Sequence, residues 1–499
     1  MIFVAEITAA VDASGTEETF YFSSGRGWAT SAADTPAKTY ISGGLMGCAY
    51  RREMFAEDGL FGRVRSSFGT VTLNNARGDL DSWKNYGFDG RRFVLRMAEE
   101  EGAAYPSGYT LVFEARMLRA SVSMRSVEIV LRDRLAELDA PVCTSTLAGT
   151  GGLEGPSTLA GRTIPRAYGD TFLLPAVLLD ISRNIWLVCE NECSTIGQAA
   201  RNAGVNVTVG SDYASTADLL ATAPAAGQAR FYVDGPTYVR FETAPTNVQV
   251  SPGSAYTIDG LSPTFANIAI EAGIGGATGR PVTPEIYVDD QRTTYLEVLA
   301  REARQRPCWF GFDRSMNFVA ETITDPSGGS PVATLTQWDY MSIERSAPSG
   351  IDVPVWRVTT TGRKNYADRS GLASTATDYV RQEHYKFEAA EDTGVLLKHP
   401  FAKTINVESG GFTVGGAAEF LALHKEDRDM LTVTSKLTTE AATYDLGDVL
   451  TIKHPRFGLA SGKKVMVVAV DLDMGRNRVQ WSLWGRHGTN DARSAEPSA

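Results

Sequence analysis

Apolar and polar residues alternate in short runs along most of the chain, a pattern typical of strands rather than helices. Three such runs near the C-terminal end are Val449 to Ile452, Lys464 to Val470 and Val479 to Trp484. Gly and Asn residues between the runs, such as Gly475 and Asn477, suit tight reversals. The pattern therefore predicts a compact antiparallel meander.

Two tryptophans on the last predicted strand are expected to face opposite sides of the sheet. Side chains alternate across a strand, so Trp481 points into the core with Val479 and Leu483. Trp484 then points the other way and needs cover from its own chain or from a neighbouring subunit. Trp484 is therefore the candidate interface residue.

Residues 1–140 show the same strand pattern, with turn residues at short intervals. The predicted strands are 2–7, 19–22, 69–73, 92–96, 110–115 and 126–131. Closely spaced strands without helix signals are typical of a small barrel or sandwich.

The middle of the chain mixes strands with a few helices. Small and polar residues at 141–158 predict a loop that marks a domain boundary. Apolar spacing predicts an amphipathic helix at 294–304 that is followed by a hairpin at 308–321. The remaining predicted elements are a short helix at 214–221, a long strand at 353–361 and a second helix at 416–431.

Composition excludes several classes of protein. The chain has 499 residues and a net charge of −11, which argues against a sequence-independent grip on nucleic acid phosphates. Five scattered Cys argue against a disulfide framework and favour synthesis in a reducing cytoplasm. The N-terminus lacks the basic region of a signal peptide, and no run of about eighteen apolar residues predicts a membrane span.

Candidate chemistry is sparse, and we predict no catalytic, cofactor or metal site. The five His lack metal-ligand spacing, and Cys189 and Cys193 have the wrong spacing for a CxxC redox motif, so structural thiols are favoured. Asp79 and Asp81 are interpreted as turn residues rather than as a glycosidase pair. Half-buried strand aromatics are favoured over a glycan site for a further set: Tyr168, Tyr213, Tyr232 and Tyr238.

Three stretches in series carry a resemblance to a known family. They are VTLNNARGDLDSW with YGFDGRRFVLRM, then LAGRTIPRAYGDTFLLPAVLLD, and finally LGDVLTIKHPRFGLASGKKVMVVAVDLD with VQWSLWG. In this order the chain resembles central tail-hub, or baseplate hub, proteins of long-tailed, non-contractile bacteriophages. The resemblance implies a mainly β fold with smaller α+β parts, in which two tube-protein-like β-barrel domains have α/β and β insertions between them.

On this plan the chain divides into five parts. They are a first barrel at 1–140, a peripheral β-rich domain at 141–290, an interleaved α+β domain at 291–334 and 366–439, a second barrel at 335–365 and 440–486, and a flexible tail at 487–499. Some hubs carry an iron–sulfur cluster on C-terminal cysteines. That feature is not expected here, because no Cys follows Cys308.

The resemblance also implies a function. A homotrimer would close the hexameric tail tube at the virion's tail tip after assembly in the host cytoplasm, and DNA would pass through an acidic lumen during ejection. Implied partners are a distal tail protein or tube ring, the C-terminus of the tape-measure protein, and central or tail fibre proteins that serve host attachment. A distal-tail or receptor-binding adaptor is the alternative, and a tail-associated glycan or peptidoglycan hydrolase is a weaker one. No enzyme activity is expected.

Overall fold

The computed structural model describes residues 1–55, 61–275, 277–279, 284–305, 307–346, 354–408, 416–425 and 428–486. With 42% strand and 14% helix, it confirms the prediction of a mainly β fold with smaller α parts. The expected flexible tail at 487–499 lies outside the described residues.

The strands are numbered in chain order. The first eleven are β1 Ile2–Ala10, β2 Glu17–Ser23, β3 Gly27–Ala29, β4 Tyr40–Gly43, β5 Leu45–Gly47, β6 Ala49–Phe55, β7 Phe61–Phe68, β8 Val71–Asn74, β9 Arg92–Ala98, β10 Thr110–Val122 and β11 Ser126–Arg132. The next eleven are β12 Arg166–Asp170, β13 Val177–Asp180, β14 Ile185–Cys189, β15 Ala199–Asn202, β16 Val205–Val209, β17 Gln228–Tyr232, β18 Thr237–Phe241, β19 Val248–Ser251, β20 Ser254–Ala255, β21 Thr278–Gly279 and β22 Ile286–Val288. The last are β23 Cys308–Phe312, β24 Phe318–Thr322, β25 Ala333–Leu335, β26 Ser342–Ser346, β27 Val355–Lys364, β28 His384–Glu391, β29 Lys403–Glu408, β30 Arg428–Lys436, β31 Val449–Ile452, β32 Lys463–Asp473 and β33 Arg478–Arg486.

The α-helices of the described residues are short. They are α1 Thr216–Ala221, α2 Phe265–Glu271, α3 Tyr295–Gln305, α4 Asp378–Arg381, α5 Thr393–Lys398 and α6 Gly416–His424. A capping box begins α3, because the Thr294 hydroxyl accepts from the Glu297 amide at 3.3 Å and the Glu297 carboxylate accepts from the Thr294 amide at 3.1 Å. The helices predicted at 214–221 and 294–304 are confirmed.

The N-terminal region forms a nine-stranded sheet in the order β3-β4-β2-β1-β9-β10-β11-β8-β5. All six strands predicted between residues 2 and 131 lie in this sheet. Its neighbours are antiparallel except β2 and β4. Alternating side chains such as Ala5 and Ile7 are completely buried on one face of β1, which explains why the sequence alternates there.

A larger, eleven-stranded sheet collects strands from three parts of the chain. Its main order is β21-β24-β23-β7-β6-β32-β33-β30-β26, with β25 and β31 attached beside β32. The predicted meander is confirmed, since β31, β32 and β33 pair antiparallel in sequence order. The hairpin of β6 and β7 lies within the expected first domain, but it pairs with β32 and β23 instead of the nine-stranded sheet.

The region before the meander differs from expectation in two places. The predicted strand at 353–361 falls on β27, which pairs with β28 and β29 in a separate three-stranded sheet, whereas β26 pairs with β30. The helix predicted at 416–431 is wrong in its second half, because α6 ends at His424 and β30 begins at Arg428. The β-branched run Thr432 to Thr434 favours a strand there, and β33 supplies its pairing partner.

Most strands of residues 141–290, a range that we call the outer region, lie in two further sheets. A seven-stranded sheet has the order β13-β14-β18-β17-β16-β15-β19, and a small sheet has the order β20-β12-β22. The predicted loop at 141–158 contains two single 3-10 turns. The seven-stranded sheet has cores separate from the one that the two large sheets share. One face of the small sheet instead packs in a core that also contains Phe310 and Phe318 of the eleven-stranded sheet.

Candidate functional site

The two tryptophans of β33 lie on opposite faces, and both are buried. Trp481 is 1% exposed, with its ring 5.6 Å from that of Tyr444. Trp484 is also 1% exposed. Both faces of β33 are therefore covered by other elements of the chain. The sequence-based interface candidate Trp484 is therefore covered by its own chain and offers no exposed indole to a neighbouring subunit.

A buried ion pair joins the β6–β7 hairpin to the loop before the meander. Arg52 is 3% exposed, and its Nη1 lies 2.6 Å from Asp445 Oδ1. Its Nη2 donates to the Phe312 carbonyl at the end of β23. Burial would raise the pKa of Asp445, but the guanidinium groups of Arg52 and Arg314 outweigh burial and lower that pKa below its usual value.

Arg314 extends this connection to the nine-stranded sheet. Its amide donates to Asp445 Oδ2 at 3.2 Å, and its Nη1 donates to the Ala442 carbonyl at 2.5 Å. Its own carbonyl accepts from the Glu114 amide of β10 at 2.7 Å. Arg52, Arg314 and Asp445 thus fix three separate parts of the chain, and we call them the joint.

Aromatic packing strengthens the contact between the two large sheets. The ring of Tyr50 on β6 stacks on Phe113 of β10 with centroids 4.6 Å apart, and Phe68 of β7 lies 5.7 Å from the same ring. Buried residues of both sheets form one continuous core. Aromatic side chains contribute a large part of core stability because each buries a large apolar area. The two large sheets therefore pack together as one structural unit.

A groove runs beside this unit, where β7 meets α3 and β29. It consists of two adjoining cavities of about 650 and 830 Å³ that share Arg63, Asp139 and Leu296. The other charged lining residues are Arg51, Glu53, Arg65, Asp133, Glu297, Arg301, Arg304 and Glu408. The lining contains five arginines and five carboxylates, so the groove suits a chain segment that carries both charges rather than an anion alone.

A second buried arginine, Arg166, binds two carboxylates in the outer region. Its Nε lies 2.7 Å from Glu190, and its Nη1 lies 2.7 Å from Glu271. The Tyr168 hydroxyl donates to Glu271 at 2.9 Å, and burial followed by the Glu271 charge raises the pKa of Tyr168 well above its usual value. Both carboxylates are committed to one guanidinium, so this cluster stabilises the fold and resembles no acid–base pair.

The other residues singled out in the sequence also serve the fold. Asp81 accepts from Asn75 Nδ2 at 2.9 Å in the turn that contains Gly78. Of the four candidate tyrosines, Tyr168, Tyr213 and Tyr238 are buried, and Tyr232 is partly buried. Within the described residues, no group of three His, Cys, Asp or Glu could hold a metal ion. No helix of the described part is both long and apolar enough to cross a membrane.

Sequence reasoning missed the exposed residues at the free edges of the two large sheets. Trp338 is 85% exposed and Met341 is 64% exposed, just before β26, which ends the eleven-stranded sheet. Tyr40, on β4 next to the edge strand β3, is exposed at an end of the nine-stranded sheet. The signal for Trp338 was present, because this large aromatic stands in a polar turn between Gln337 and Asp339.

Solved structures of tail and virion proteins are similar to this chain at low identity. The 43 kDa tail protein of prophage MuSo2 from Shewanella oneidensis is 10% identical, with 97% of this chain and 96% of that chain covered and a TM-score of 0.42. The tail protein from Neisseria meningitidis MC58 is 8% identical, with 97% and 96% covered and a TM-score of 0.44. A chain of the native gene transfer agent virion is 13% identical, with 68% and 87% covered and a TM-score of 0.40. No protein-family model and no curated protein matches the chain.

Proposed function

We propose that this chain is a structural protein of a phage tail, and that it acts as the hub at the tail tip. The observation that carries the proposal is the unit of two large β-sheets, which share one core and are fixed by the buried joint of Arg52, Arg314 and Asp445. The ordered series of three motifs, which resembles tail-hub proteins, supports the same function.

Symmetry explains why two large β units in one chain suit a hub. A threefold ring can continue a sixfold tube when each subunit offers two comparable units. We assign these units to the nine-stranded and eleven-stranded sheets, with residues 141–290 as a peripheral domain. On this assignment three chains close the tube, and DNA crosses a lumen of an acidic protein that does not hold phosphates.

Partners follow from the same placement. One end of the ring would meet the distal tail protein or tube ring and the C-terminus of the tape-measure protein. The other end would meet fibre proteins that serve host attachment. The groove beside β7 has the mixed charge expected of a docking site for an extended segment from one of these proteins.

The free edge before β26 is the contact that we assign to the neighbouring copy. Trp338 and Met341 are large, apolar and exposed there, and tryptophan is enriched among the residues that dominate interface energy. The sequence-based choice of Trp484 is replaced by Trp338, because Trp484 is buried within one chain.

The test is the oligomeric state of the purified full-length protein. Sedimentation should show a trimer, and Trp338→Ala should weaken subunit affinity by about 2 kcal/mol, roughly 30-fold, while the separated subunits stay folded. Ile181→Ala is the matched control, because Ile181 is 78% exposed but lies in the outer region. A hexamer would favour the distal-tail or receptor-binding adaptor, and a monomer at high concentration would contradict both functions.

A direct image completes the test. Labelled protein in purified tails should lie at the tip, on the tail axis. Purified protein should release no sugar or peptide fragments from peptidoglycan or host capsule. Turnover that disappears when one Asp or Glu is replaced would instead establish the hydrolase.

A further inference from the structure

Two buried thiols in the outer region lie in contact with each other. Cys189 Sγ and Cys193 Sγ are 3.6 Å apart, and both side chains are buried as free cysteines. The thiols of Cys143 and Cys308 instead donate to backbone carbonyls, at 3.4 and 3.7 Å. The spacing CxxxC therefore brings together two sulfurs that the sequence analysis interpreted as structural thiols.

The backbone holds both cysteines in place. Cys189 ends β14 and pairs with Thr237 of β18, while Cys193 forms a bridge with Ala255 of β20. Between them, the Asn191 carbonyl accepts from both thiols, at 3.7 and 3.8 Å, and from the Thr237 hydroxyl at 2.9 Å. The two side chains consequently point into one space, and their distance is set by the sheets.

We propose that Cys189 and Cys193 are a disulfide-forming pair that locks the outer region when the protein leaves a reducing environment. A disulfide has an S–S distance near 2.04 Å, so the sulfurs need to approach by about 1.5 Å. Rotation of the two side chains supplies a movement of this size while the strands stay paired. The inference is independent of the proposed tail function.

The reaction needs an oxidant, and a small-molecule disulfide RSSR supplies one. One cysteine loses its proton, its thiolate attacks RSSR, and the first RS⁻ leaves and takes up a proton to become RSH. The second cysteine then loses its proton and attacks the protein sulfur of the mixed disulfide, and the second RSH departs. Two protein thiols are oxidised to one disulfide, and RSSR is reduced to two RSH.

Burial makes this reaction slow in the native protein. The hydrogen bond between Cys189 and Cys193, followed by burial, raises the pKa of Cys189 well above its usual value, and a thiol with a raised pKa is a poor nucleophile. Reaction therefore requires local opening of the outer region. The two thiols would therefore persist in a reducing environment and oxidise slowly once the protein leaves it.

The disulfide would connect two sheets. Cys189 belongs to the seven-stranded sheet, and Cys193 bridges to the small sheet of β12, β20 and β22. Closing this short loop restricts the unfolded chain, and a rise on the order of 5 °C in the thermal midpoint of the outer region is expected.

Peptide mass analysis of the full-length protein tests the proposal. The protein is incubated with oxidised glutathione in low urea, free thiols are alkylated, and the protein is digested with trypsin. Residues 184–201 form one peptide that contains both cysteines and no internal Lys or Arg. We expect this peptide to become two hydrogen masses lighter and to resist alkylation, while the peptides of Cys143 and Cys308 remain alkylated.

Variants separate a locking disulfide from incidental oxidation. Cys193→Ser should abolish the lighter peptide and the rise in thermal midpoint, whereas Cys308→Ser should keep both. The proposal is overturned if residues 184–201 stay doubly alkylated while the fully unfolded chain oxidises. It is equally overturned if the oxidised protein unfolds at the same temperature as Cys193→Ser.

Discussion

At the scale of single residues, stability depends most on large side chains that are buried by distant parts of the chain. Trp481 was expected in the core from strand alternation, and it lies there against Tyr444. Alternation also placed Trp484 on the other face, but it could not tell what covers that face. The cover comes from other parts of the same chain, and no local pattern around β33 contains this information.

Replacing the two tryptophans of β33 should therefore have similar effects. Trp481→Ala and Trp484→Ala should each lower the free energy of unfolding by roughly 3 to 5 kcal/mol, because each leaves a cavity in a packed interior. Urea unfolding of the purified variants measures this loss. Ile181→Ala is the exposed control and should leave the unfolding midpoint unchanged. A Trp484→Ala protein of normal stability and impaired assembly would restore the interface role of Trp484.

At the scale of elements, period-two alternation located most strands but not their partners. The six N-terminal strands and the meander were predictable, since each is a local pattern bounded by turn residues. The hairpin of β6 and β7 pairs with β32, more than 390 residues away in sequence. Pairing over such distances depends on how whole sheets pack, so the sequence could not show that this hairpin leaves the nine-stranded sheet.

The contact between β7 and β23 offers a test of this unexpected pairing. A Cβ on Gly311 would lie 2.6 Å from the Val64 Cβ, so Gly311→Ala should destabilise the protein by about 1 to 3 kcal/mol. Adding Val64→Gly should recover part of that loss, because it removes the Cβ with which the added methyl group clashes, and a double-mutant cycle of unfolding free energies measures the coupling. Gly47→Ala is the control, since nothing lies near its added Cβ. Strictly additive effects would show that β7 and β23 are not in contact.

At the scale of the whole molecule, the chain has two kinds of region, which should unfold separately. The two large sheets share one core and the joint, whereas the seven-stranded sheet within 141–290 has cores of its own. The abundance of strands was predictable from the alternation of apolar and polar residues in the sequence. The joint was not, because Arg52, Arg314 and Asp445 are far apart in the chain and none lies in a recognisable motif.

Calorimetry of the full-length protein should accordingly show two transitions that respond to different changes. Asp445→Asn should affect only the transition of the two large sheets. It should lower the free energy of unfolding of that unit by roughly 3 to 5 kcal/mol at pH 7, because it leaves buried Arg52 without its counter-charge. The folded protein lowers the pKa of Asp445, so its carboxylate stabilises the fold fully above the ordinary Asp pKa of 3.8, and this contribution is lost as pH falls through the lower folded pKa. The difference in unfolding free energy between Asp445→Asn and the unmodified protein should therefore shrink below about pH 4.

Two controls separate the transitions. Exposed Asp79→Asn should change neither unfolding temperature, and oxidation of Cys189 and Cys193 should raise only that of the outer region. A single transition that moves with every change would show that the outer sheets and the joint belong to one cooperative unit.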